Sequence, residues 1–145
     1  MPAVSKKSAK IAGLIERCQG GEFDAHYLGY FECFNRGLYY EAHDVLEELW
    51  LADRHGPNGA FYKGLIQFAG AFVHLQKKRL RPAAALFRLA RTNLEKYPAS
   101  HHRLDVAAVI ASIEVWSNEL EACDYAVNPL RADNLPRLEL LPREG

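Results

Sequence analysis

The sequence holds only three cysteines, Cys18, Cys33 and Cys123, at wide spacing and without a CxxC pair. An odd, scattered set of thiols excludes a disulfide framework and reads as reduced cysteine in a cytoplasmic protein. Charge of one sign is also lacking: 18 Lys and Arg face 18 Asp and Glu, so bulk charge points to neither nucleic acid nor membrane. The longest apolar stretch, Ala60 to Leu75, is about sixteen residues and is broken by Lys63, Gln67 and His74, too short and too polar to span a bilayer. Behind Lys6, Lys7 and Lys10 there is no apolar segment with a small-residue cleavage site, which speaks against a secretory signal. No Gly-rich phosphate loop, Ser nucleophile elbow or Cys–His arrangement is visible, and no segment alternates with period two.

What remains is helical periodicity in a chain of 145 residues, 49% hydrophobic and 25% charged, which suits one globular domain. A chain of this length buries roughly 68–70% of its unfolded surface, enough for a core without staples. Helices are expected at about 5–18 before Gly20-Gly21, 24–35 before Gly37, 38–53, 59–78 with Asn58 as N-cap, 82–97 with Pro82 in the first turn and Pro98 as the stop, and 104–123. The expected fold is therefore all-α, a single-domain bundle of about six helices over 1–128 with the 60–75 stretch at its centre. An extended Pro/Leu-rich tail is expected over 129–145, where Pro129, Pro136 and Pro142 forbid a long helix. Ala42-Val45-Leu46-Leu49 echoes Ala83-Leu86-Phe87-Ala90 about 41 residues later, as stacked hairpins of the tetratricopeptide type would, and as any two amphipathic helices would.

The sharpest signal lies in the segment from Tyr39 to Trp50. Ala42, Val45, Leu46 and Leu49 share one helical face, and Tyr40, His43, Glu47 and Trp50 form a second stripe beside it at spacings of three and four. The 59–78 helix carries a matching stripe of Lys63, Gln67, Gly70 and His74. Gly64 and Gly70 inside a helix imply the close approach of a neighbour. An antiparallel hairpin would then set Glu47 near Gly64 and Gln67, and His43 near Gln67, in a buried polar pocket. Three readings stand for it: a structural network with Glu47 accepting from Lys63 or Gln67; a divalent metal held by His43 and Glu47 with His74 or Asp44 completing the set; or a small-ligand or acid–base site.

The spaced residues Phe34-Asn35, Gly37, Tyr39-Tyr40-Glu41, His43, Leu46-Glu47 and Trp50, followed by Phe61, Gly64-Leu65-Ile66-Gln67, Ala69, Ala71 and His74, resemble the signature of the domain-of-unknown-function family 309. The resemblance implies a small all-helical domain with its signature residues at the junction of adjacent helices, and no activity. It places Glu41, His43, Glu47, Trp50, Gln67 and His74 at signature positions. Asp44 stands where the pattern has Glu, and Arg81-Pro82 stands in place of a Gly-containing turn.

Net neutrality hides a polarity. Between Glu22 and Asp53 there are eight acids and one base, and between Lys77 and Arg103 eight bases and one acid. Two solvated faces explain this, or a basic 77–103 surface for an anionic partner or RNA. His101-His102 is expected as a surface loop, and Cys33 as a small core residue. The function these features support is a binding or interaction module for a small molecule or protein, self-associating through the Leu-rich tail as a homodimer in one form. The alternative is a metal-dependent or acid–base enzyme using His43 and Glu47.

Overall fold

The computed structural model describes residues 23–142. Within them the chain is all-α apart from one two-residue strand pair: α1 Ala25–Asn35, α2 Tyr39–Asp53, α3 Gly59–Gln76, α4 Leu80–Leu94 and α5 Val106–Ala122, with β1 Ser100–His101 antiparallel to β2 Leu104–Asp105. The helix expected over 5–18 lies outside the described residues. Each helix packs on the next in chain order. None of the described helices is long and apolar enough to cross a membrane.

The helix ends have local causes. Gly37 takes φ +75°, and the Gly37 and Leu38 amides return to the carbonyls of Phe34 and Cys33, closing α1 as a glycine stop does. Asn58 sits at the N-cap position of α3 but makes no capping bond; its Oδ1 lies 2.8 Å from His101 Nε2 instead. α4 ends at Leu94 rather than at Tyr97, because the Tyr97 hydroxyl is drawn across to accept from Phe61 N and donate to Pro57 O. α5 starts at Val106, since Leu104 and Asp105 pair with β1 and the Asp105 carboxylate accepts from the Ala108 amide.

α3 is the central helix, and Phe72 is its hub. Its ring meets Phe34 of α1, Tyr39 of α2, Phe87 of α4 and Trp116 of α5, with centroids 5.1–5.7 Å apart. The contacts with Phe34, Phe87 and Trp116 are edge-on and that with Tyr39 is tilted, and such aromatic pairs add to the area they bury. A Cβ on Gly64 would lie 2.9 Å from Leu94 Cγ and 3.3 Å from the Ala90 carbonyl. The bare helix face expected for a neighbour therefore receives α4, not α2.

After α5 the described chain contains no helix or strand up to residue 142. Asn35 holds this segment at both ends of its amide, donating to Leu138 O at 2.8 Å and accepting from Leu138 N at 2.7 Å. Arg103 and Leu141 exchange a further pair of bonds. Leu138 is buried in the chain's own core, whereas Leu135 is exposed.

Candidate functional site

On α2 the apolar stripe behaves as the periodicity demands, with Ala42, Val45 and Leu46 buried. The neighbouring polar stripe rides on the shoulder of the helix. The Tyr40 and His43 rings are parallel within 1° at 6.4 Å between centroids. His43 Nδ1 is 3.6 Å from an Asp44 oxygen and 3.9 Å from a Glu47 oxygen, beyond hydrogen-bond reach of both. That nitrogen is shielded from solvent and makes no hydrogen bond. The side chains of His43 and Glu47 are 35% and 45% exposed, so the dry seam expected around them is a half-wet shoulder. The physical reason is the placement of the glycines: α4 takes the closest approach to α3, and α2 keeps its polar stripe at the rim.

Neither expected partner of Glu47 reaches it. Lys63 Nζ lies over the Trp50 ring, 4.2 Å from its centroid. Gln67 Oε1 accepts from Asn93 Nδ2 of α4 at 2.8 Å. His74 has a buried Nδ1 with no hydrogen-bond partner, and its pKa is lowered from the ordinary histidine value, first by burial and then by the charges of Arg79 and Lys77.

These side chains border a cleft of about 330 Å³. Tyr40 and His43 enter it from α2, and Lys63, Gln67 and His74 from α3, with Lys77 at the end of that helix. Ile66, Val73 and Leu86 give it an apolar wall. Of the seven residues singled out in the sequence, Tyr40, His43, Gln67 and His74 thus come together, while Glu41, Glu47 and Trp50 stand outside the lining. The contribution of α4 is what sequence reasoning missed: Leu86 and Asn93 carry no chemical signature, and only the glycine spacing on α3 hints that a helix closes over it.

Of the two metal-ligand sets expected, the structure gathers the one completed by Asp44. Ligand atoms of His43, Asp44 and Glu47 lie within 4.8 Å of one another, at intermediate burial. His74 is not part of this group, because it faces the cleft two turns along α3.

Two other features depart from the sequence reading. His101 and His102 are half-buried rather than surface residues, with rings 4.3 Å apart and both packed on Phe61. His102 and Arg103 both have positive φ, 48° and 60°, forming the two-residue turn between β1 and β2. The Tyr27 hydroxyl donates to the His102 carbonyl at 2.8 Å, and Arg103 is tied to Leu141. Burial lowers the pKa of both imidazoles, and that of His101 is lowered further by His102. The basic 77–103 run is not one free stripe either: Arg91 meets Glu95 and Glu114, and Arg81 stacks on Tyr125.

Residues 27–95 match the model of a family described as Domain of unknown function (DUF309). No curated protein and no solved structure matches the chain. The match spans α1 to α4, hence every residue that lines the cleft, and stops before the β-turn, α5 and the tail.

Proposed function

Residues 27–95 belong to the domain-of-unknown-function family DUF309, and we propose that this domain is a helical binding module whose ligand seats in the cleft between α2, α3 and α4. One observation carries the reading: Tyr40 and His43 of one helix and Gln67 and His74 of the next converge, with Lys63 and Lys77, on a single cavity that has an apolar wall. That is the usual composition of a small-molecule site. The successive packing of helices supports a stacked-hairpin scaffold, and the absence of a bilayer-length helix among the described residues agrees with a cytoplasmic setting. The extended segment after residue 128 acts as a strap on the helical domain.

A second reading, an acid–base or metal-assisted enzyme on His43 and Glu47, draws on their 3.9 Å approach and on the nearby Asp44. The exposure of Glu47 works against it, because water already solvates its carboxylate. Amide chemical-shift mapping with a fragment library separates the two. Perturbations gathered on Tyr40, Gln67, His74 and Leu86 support the module. Perturbations scattered elsewhere, or none, overturn it. Stoichiometric metal that broadens His43, Asp44 and Glu47 in protein purified without affinity histidines favours the enzyme.

A further inference from the structure

The cleft is one-sided in its charge. Two ammonium groups line it, Lys63 and Lys77, and among the described residues no carboxylate does. Neither lysine makes an ion pair within the described residues; Lys63 rests on Trp50, and Lys77 Nζ lies 5.8 Å from the centre of the Tyr40 ring. Aromatic faces hold ammonium groups in place without neutralising them. The third polar group is Gln67. Its Oε1 is engaged by Asn93, so the end left over is its NH₂, a donor. His43 and His74 add imidazoles whose Nδ1 atoms have no partner in the protein. The Asp44 and Glu47 carboxylates stay behind His43 and outside the lining.

A cavity offering donors and positive charge, but no charged acceptor, suits a negatively charged guest. The apolar wall of Ile66, Val73 and Leu86 asks for more than a bare ion. We infer that the ligand of this cleft is a small organic anion, its carboxylate or phosphate held by Lys63, Lys77 and Gln67, and its apolar body laid against Leu86. This rests on the binding-module reading and names the ligand class for it.

Calorimetric titration of the full chain with benzoate, phenyl phosphate, inorganic phosphate and neutral benzamide tests it. Benzoate or phenyl phosphate should bind more tightly than benzamide, and whichever of the two binds better identifies the head group. Lys63→Gln and Lys77→Gln should each weaken the anion about tenfold, the usual worth of a hydrogen bond to a charged group. Arg88→Gln, an exposed change on α4 away from the cleft, should leave it unchanged. Inorganic phosphate matching the organic anions would overturn the apolar half of the inference. Benzamide binding as well as benzoate, with its shifts still on Gln67 and His74, would overturn the anion and leave the module standing. No probe acting on the cleft would remove both.

Discussion

Asn93 Nδ2 donates to Gln67 Oε1 across 2.8 Å and so sets which end of the Gln67 amide the cleft receives. The bond also ties α4 to α3 about two turns from Leu86. Asn93→Ala should lower stability by about 0.5–1.5 kcal/mol in urea unfolding, the ordinary net worth of such a bond. An unchanged midpoint would mean the amide pair is not held in solution.

Gly64 is where α4 comes closest. A methyl group there meets Leu94 Cγ at 2.9 Å and the Ala90 carbonyl at 3.3 Å, so Gly64→Ala should destabilise by about 1–3 kcal/mol despite the better helix propensity of alanine. Pairing it with Leu94→Ala should give less than the sum of the two single losses, because the second change removes the obstacle. Additive losses in the double variant would place the contact elsewhere.

Phe72 joins four helices through its ring, and Phe72→Ala should cost about 3–5 kcal/mol by opening a cavity at their common contact. Thermal unfolding read by near-ultraviolet circular dichroism checks this, since Trp116 lies 5.1 Å from that ring and should lose its ordered signal with it.

Stability should fall in mild acid. His74, His101 and His102 all have pKa values lowered from the ordinary 6.5, each by burial first. The unfolded chain takes up protons as pH drops through the ordinary value while the folded chain resists. Their contribution is therefore complete above that value and is lost as pH falls towards the lowered ones. Melting temperatures at about pH 8 and about pH 5.5 should show the loss. His74→Gln combined with His102→Asn should lessen it, leaving the share of His101, asparagine being the residue that tolerates the positive φ of the turn. An equal slope in the variant would exclude the His74 and His102 imidazoles as its source.

Much of the architecture was legible in the sequence because apolar spacing reports which face a helix buries. Ala42, Val45 and Leu46 are buried, as are Val109, Ile113, Trp116 and Leu120. Gly37 announced its own stop through a conformation few other residues adopt. The site was legible only by half. Periodicity gathers Tyr40, His43, Gln67 and His74 onto facing stripes but does not say which neighbour a glycine stripe admits. The close approach went to α4, and Glu47 stayed wet. The His101–His102 turn was illegible for a different reason: its two positive φ values fall on residues that give no such signal, and bonds from Tyr27 and Leu141, distant in sequence, hold it in place.

An anion seated in the cleft places negative charge beside His74. Proton NMR titration of the His74 ring, with and without saturating benzoate, measures this at the atom concerned. A bound anion offsets the positive field of Lys77 and Arg79, so the midpoint of His74 should move upward while that of His101 stays where it was. A His74 midpoint that benzoate does not move, with His74 resolved and benzoate in excess, would contradict the claim.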